Sequence, residues 1–432
     1  MDGLMNFLEN NLTPIATKIA ANKYLKAISG GFIAVMSASI VGSIFTLLGN
    51  LPITAYTTWL AQTGLNAILA IPGTFTVNCI ALYAAFFIAY TLAGEFKVNG
   101  AGAGLASLIS FMIITGTTTY FAAAAEGAAA VSAISMDYLG AKGLFCAMFV
   151  ALVAGRLYVY IVQHGWTIKL PDSVPPNVSG SFTALIPTAI IVTLFLVIAY
   201  LMKQTSYGTL HAFVFNVIQS NLMRFAGNNI WSYCFFQLMC NLLWFFGLHG
   251  GNITGAITNP IYMPLSLANL AAYEAGEPMP YIITGAFSKS YMSGGVGSMF
   301  GMAIVMCLFC KSEQMKTLGR LSLPTTCFFI NEPLLFGIPV VLNPVFFLPL
   351  MFFTPIMGII TYLLMKAGIV PIPHGIQIPW TTPPVINGFL QGGVGLAIYE
   401  AITVVISGIV WWPFVAIADK QALKEEQGAA AE

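Results

Sequence analysis

Long apolar runs constrain this chain more than anything else. Residues 28–48 and 182–202 contain no charged residue. A helix needs about 20 predominantly apolar residues to cross a bilayer. Further apolar segments fall at 78–94, 102–116, 143–163, 230–248, 296–311, 345–366 and 393–413. Of the 432 residues 58% are hydrophobic and 7% charged, against about 25% charged in soluble proteins. The polar-in alternation of an outer-membrane barrel is absent. The expected fold class is an all-α polytopic membrane protein, with about ten transmembrane helices plus amphipathic helices and re-entrant hairpins.

The stretch Phe328–Pro344, FFINEPLLFGIPVVLNP, breaks that pattern. It is apolar, carries three prolines and holds Glu332 in its middle. Proline interrupts a helix and supplies no N–H. Broken backbone at membrane depth survives only where protein buries it or it lines a watery cavity. A carboxylate facing lipid is also costly. A re-entrant segment that presents Glu332 to a polar site satisfies both demands. Residues 247–264, 286–299 and 371–393 are likewise too apolar for solvent loops and too rich in Gly and Pro for helices. Broken segments gathered in one half mark the expected solute site.

At the N-terminal end, Leu4, Phe7, Leu8, Leu12 and Ile15 fall at helical spacing, followed by Lys18, Lys23 and Lys26. This predicts an interfacial helix over 1–27 with the N-terminus cytoplasmic, and no removable signal peptide. Residues 121–135 read as a small-residue connection in which Glu126 is solvated or packed. Arg156, inside an apolar segment, calls for an ion pair or a dimer contact rather than a substrate. Residues 164–181 read as an extended loop and 206–225 as an amphipathic connecting helix. The organisation expected is therefore two halves, 1–205 and 226–416, with the 206–225 helix between them. Lys311, Lys316 and Arg320 predict a cytoplasmic loop, and residues 417–432 a frayed cytoplasmic tail. Cys307 and Cys310 form a CxxC that, on an uninterrupted helix, only shares one face. The net charge of +1 gives no reason to expect a nucleic-acid partner.

His249 follows the aromatic run Trp244–Phe246 and precedes paired glycines, which allow close backbone approach to a ligand. Alone it could be a buried histidine bonded to a carbonyl, as Glu332 could be a structural carboxylate. Two titratable groups in two separate broken segments favour a polar site. A neutral, hydroxyl-rich ligand needs planar acceptors, donors and a flat apolar platform. Glu332, His249, Asn331, Asn252 and Asn343 supply the polar set, and Trp380 a platform or an interfacial anchor. A cation would require more acidic residues. A phosphate would require more than Lys289 and Arg224. No Walker loop, GxSxG or metal-ligand cluster occurs, so neither a metal nor a cofactor is expected. An ion-coupled transporter using Glu332, a sugar sensor and a free-standing enzyme are the alternative classes.

The pieces IKLPDSVPPNVSGSF (168–182), FFGLHGGN (245–252), LGRLSLP (318–324), INEPLLFGIPVVLNP (330–344) and PWTTPP (379–384) resemble the membrane C component, EIIC, of the bacterial phosphotransferase system. The resemblance is to its lactose, cellobiose and diacetylchitobiose branch and spans about residues 3 to 416. It implies a homodimer in the bacterial cytoplasmic membrane, with an N-terminal scaffold and dimerisation half and a C-terminal sugar-binding half. It implies a β-linked disaccharide substrate phosphorylated on its 6-hydroxyl by the phosphocysteine of a separate soluble EIIB. That partner is charged in turn by EIIA, HPr and enzyme I. It also implies that Glu332 and His249 hold the sugar near the reacting hydroxyl. The chemistry expected of them is Glu332 accepting that hydroxyl's hydrogen bond, as general base or only to orient it, with His249 orienting it and steadying charge.

Overall fold

A computed structural model describes residues 18–19, 21–49, 54–121, 130–171, 175–222, 227–338 and 340–429. The chain divides into two compact units, Met1–Arg224 and Phe225–Glu432. Among the described residues, six helices are long and apolar enough to cross a membrane, and four apolar helices are shorter.

The first unit contains α1 (Lys23–Gly49), α2 (Thr54–Thr63), α3 (Leu65–Phe75), α4 (Ile80–Glu95) and α5 (Gly100–Thr115). After these come β1 (Thr118–Phe121), β2 (Ala130–Ala133), α6 (Leu144–Gln163) and α7 (Pro176–Lys203). Its axis is α4, which packs against α1, α5 and α6, while α5 also meets α7. Small residues allow this: Ala81, Ala84, Ala85, Ala89 and Ala93 are all fully buried. In lipid, close backbone approach and van der Waals packing replace the hydrophobic drive between helices. A Cβ on Gly31 of α1 would lie 2.4 Å from Ile88 Cγ1, so this crossing depends on glycine.

Several sequence expectations change here. α2 and α3 fill a stretch with no expected span. Thr118–Phe121 and Ala130–Ala133 pair antiparallel where a plain connection was expected, and Glu126 lies outside the described residues. Most of the expected 1–27 helix also lies outside them. α7 starts at Pro176, inside the expected loop, because proline suits a helix's first turn. The 206–225 segment is helical over Leu210–Phe213, π-helical over Val214–Gln219 and helical again to Leu222. This helix is α8. Arg156 stacks its guanidinium 4.8 Å above the Phe96 ring, and its Nη1 is buried with no hydrogen-bond partner among the described residues.

The second unit holds α9 (Ile230–Phe245), α10 (Gly250–Glu274), α11 (Phe300–Phe309) and α12 (Glu313–Cys327). It continues with α13 (Glu332–Gly337), α14 (Pro344–Lys366) and α15 (Ile386–Ala429). Trp244, Phe245, Met299, Met302, Leu334, Leu335, Phe346 and Trp411 share one buried core. Polar side chains tie the elements together. Asn241 Nδ2 donates to the Met351 carbonyl at 3.1 Å and to Thr354 Oγ1 at 2.9 Å. Trp411 Nε1 donates to the Gly297 carbonyl at 2.9 Å.

Four corrections fall in this unit. Residues 250–264 are helical despite Pro260 and Pro264, since neighbouring backbone can compensate for proline in a membrane helix. The basic stretch expected as a loop is the amphipathic α12, capped by Ser312 through the Met315 N–H. The CxxC does not share a helix, because α11 ends at Phe309 and Cys310 is extended. The expected frayed tail continues α15 to Ala429. Asp419 accepts from the Lys311 and Ser312 N–H groups, and Glu426 from Ser312 Oγ and the Gln314 N–H. Two carboxylates thus meet the N-terminal end of α12, where backbone donors favour negative charge.

Candidate functional site: a histidine and a glutamate on two broken segments

His249 occupies the N-cap of α10. The turn that delivers it starts as α9 ends, with Gly247 at φ +74, a left-handed value that suits glycine. The next residue folds back, its N–H bonded to the Leu243 carbonyl at 2.9 Å. His249 Nδ1 then accepts the Asn252 N–H at 3.1 Å. An accepting Nδ1 leaves the neutral ring's proton on Nε2. The ring lies against Trp244, centroids 4.4 Å apart.

Glu332 opens α13 directly after Asn331. Asn331 is 3% exposed, and its Nδ2 donates to the Val296 carbonyl at 3.0 Å. Its own carbonyl accepts the Leu334 and Leu335 N–H groups. A Cβ on Gly295 would sit 3.0 Å from the Asn331 side chain and the Phe329 carbonyl. Leu334 and Leu335 are fully buried, so the residues on either side of Glu332 are fixed in the core. The Leu342 N–H donates to the Phe245 carbonyl at 2.9 Å, joining this segment to the end of α9.

Those constraints bring the two side chains together. His249 Nε2 lies 3.9 Å from Glu332 Oε1, with the side chains 48% and 41% exposed. That separation exceeds an ordinary hydrogen bond, and a ligand oxygen at about 2.8 Å from each atom fits across it. The Nε2–H can donate to such an oxygen while the carboxylate accepts its proton. Glu332 Oε2 is buried without a hydrogen-bond partner among the described residues.

The other sequence candidates are placed differently. Asn252 is exposed on the first turn of α10, where its N–H donates to the capping His249 Nδ1. Asn331 stands behind Glu332 with its amide committed. Asn343 caps α14 through the Val345 N–H at 2.9 Å. Trp380, 55% exposed, lies on the irregular 371–385 segment, where its carbonyl accepts from Lys289 Nζ at 3.3 Å. Sequence reasoning missed Glu400. It is fully buried and accepts from the Val385 N–H, Gly388 N–H and Asn387 Nδ2 at 2.7, 2.9 and 2.5 Å. An acidic residue inside the 393–413 apolar run was the available signal, the same one that picks out Glu332.

A polytopic helical membrane protein with a half-exposed acid–histidine pair on broken segments is built as a solute-handling protein. The family model described as "Phosphotransferase system, EIIC" matches residues 29–354, and the chain belongs to that family. It is similar to the "Lichenan permease IIC component" of Bacillus subtilis (strain 168), 37% identical over 99% of this chain and 96% of that one. It is 35% identical to the "PTS system cellobiose-specific EIIC component" of Geobacillus stearothermophilus, over 99% of this chain and 97% of that one. The crystal structure of the transporter ChbC, "the IIC component from the N,N'-diacetylchitobiose-specific phosphotransferase system", superposes with a TM-score of 0.91. Identity there is 34%, covering 98% of this chain and 99% of that one. The chain is thus a multi-pass membrane sugar permease of the EIIC class.

Proposed function

We propose that the chain binds a β-linked disaccharide of the cellobiose, diacetylchitobiose or lactose type, translocates it and presents its 6-hydroxyl to a phosphorylated EIIB. The observation that carries this reading is the His249 Nε2–Glu332 Oε1 separation of 3.9 Å, with the histidine proton on the facing nitrogen. The 6-hydroxyl oxygen bridges the two groups. Glu332 takes its proton as the oxygen attacks the phosphorus of the partner's phosphocysteine. The P–S bond breaks and the cysteine leaves as thiolate. Nε2–H steadies charge on the attacking oxygen. The charged product fits neither a neutral site nor the bilayer, which traps it inside.

In this reading residues 1–205 form the scaffold and dimerisation half of a homodimer, residues 226–416 carry the sugar, and the N-terminus is cytoplasmic. Asn252, Asn331, Asn343 and Trp380 complete the sugar-binding set. Asn331 and Asn343 act through backbone geometry, and Trp380 covers the apolar face of a sugar ring. EIIA, HPr and enzyme I act only through EIIB. The test is radiolabelled disaccharide binding to the purified protein in detergent. Glu332→Gln and His249→Ala should each bind at least tenfold more weakly than wild type. Wild-type affinity in both would move the site elsewhere.

A further inference from the structure

One ammonium group joins the broken segments of the second unit. Lys289 Nζ lies 3.9 Å from the centroid of the Phe329 ring and 5.9 Å from that of the Trp380 ring. It donates to the Trp380 carbonyl at 3.3 Å. Glu400 holds the residues just past Trp380, accepting from the Val385 and Gly388 N–H groups. The ammonium therefore touches the segment that carries Glu332 three residues beyond Phe329, and also the segment that carries Trp380. It belongs to a third segment, which holds Asn331 through the Val296 carbonyl. A point charge with three rotatable donors can serve a carbonyl and two ring faces together.

We propose that Lys289 is a positioning residue that sets Trp380 at a fixed distance from the Glu332 segment. The spacing between the aromatic platform and the hydroxyl-binding pair then depends on one side chain that contacts neither end of the sugar. This rests on the reading of Glu332, His249 and Trp380 as sugar contacts. Because the effect of Lys289 runs through Trp380, losing both residues costs no more than losing Trp380 alone.

The experiment is a double-mutant cycle on the full-length protein in detergent. The probe is whichever of radiolabelled cellobiose, diacetylchitobiose and lactose binds the wild type most tightly. Lys289→Met and Trp380→Ala should each raise Kd about tenfold, and the double variant should match Trp380→Ala. Lys289→Gln, which keeps a donor for the Trp380 carbonyl, should lose less, and it carries the same cycle if the methionine variant does not fold. A Lys289→Met Kd within twofold of wild type beside a weakened Trp380→Ala overturns the role of Lys289 alone. Losses that multiply in the double variant do the same. Wild-type affinity in both Glu332→Gln and Trp380→Ala overturns the sugar site, and this proposal with it.

Discussion

The two units differ in how far their polar side chains reach. In the first, most hydroxyls bond back to their own helix. Ser39 donates to the Val35 carbonyl at 3.3 Å, Thr91 to Phe87 at 2.7 Å, Ser110 to Ala106 at 2.7 Å and Thr193 to Ala189 at 2.8 Å. Such bonds are local and leave each helix self-sufficient. In the second, some hydroxyls do the same, as Thr361 does to Met357, but amides and an indole reach between elements: Asn241 to Met351 and Thr354, Asn269 to the Tyr281 and Pro373 carbonyls, Trp411 to Gly297. Glu400 reaches across the kink of α15 at Gly392 and Gly393 to residues 385–388. Their partners are largely carbonyls and N–H groups freed where helices break. A broken helix exposes backbone that must be paired inside the protein, and the same breaks bring His249 and Glu332 face to face. The helices of the first unit meet mainly by packing, whereas the broken segments of the second also depend on cross-element bonds.

The contrast can be broken or sharpened by substitution. The largest effect is expected at the pair: Glu332→Gln should cut formation of phosphorylated sugar by about 100-fold or more when phospho-EIIB is supplied, as loss of a general base does. Product formed at the wild-type rate would remove Glu332 from the chemistry. Next, Leu335→Ala, which empties part of the core under α13, should destabilise the second unit by about 2–5 kcal/mol, read as a lowered midpoint in detergent thermal unfolding. Asn241→Leu leaves the Met351 carbonyl unpaired and should lose about 1–2 kcal/mol by the same measurement. Ser110→Ala removes only an intrahelical bond and should stay within about 0.5 kcal/mol of wild type. Equal losses for Asn241→Leu and Ser110→Ala would dissolve the distinction between the units.

Much of the fold was legible because membrane helices announce themselves by length and lack of charge. The first-unit helices at 23–49 and 144–163 lie close to the apolar runs that suggested them. Legibility failed where a residue's usual local meaning was overridden. Pro260 and Pro264 read as helix breakers, yet α10 carries both, as membrane helices tolerate proline. Lys311, Lys316 and Arg320 read as loop charges, but they flank and decorate an amphipathic helix whose N-terminal end is held by Asp419 and Glu426. No composition signal links residues so far apart in the chain. The acid and histidine stood out because each is costly in lipid and sits beside Gly or Pro. The roles of Asn331 and Asn343 as a strut and a cap could not be read, since an asparagine's partner depends on tertiary placement. Lys289 showed only as a stray cation until its two aromatic neighbours were seen.

The most direct measurement compares binding of the disaccharide with that of its analogue lacking the 6-hydroxyl on the ring to be phosphorylated. It is made on the wild type and on Glu332→Gln. If His249 and Glu332 share that hydroxyl, the deoxy analogue binds the wild type at least tenfold more weakly, and the gap between the two ligands narrows in Glu332→Gln, where only the His249 bond remains at full strength. A deoxy analogue that binds the wild type as tightly as the parent sugar would contradict the shared hydroxyl on which the site is built.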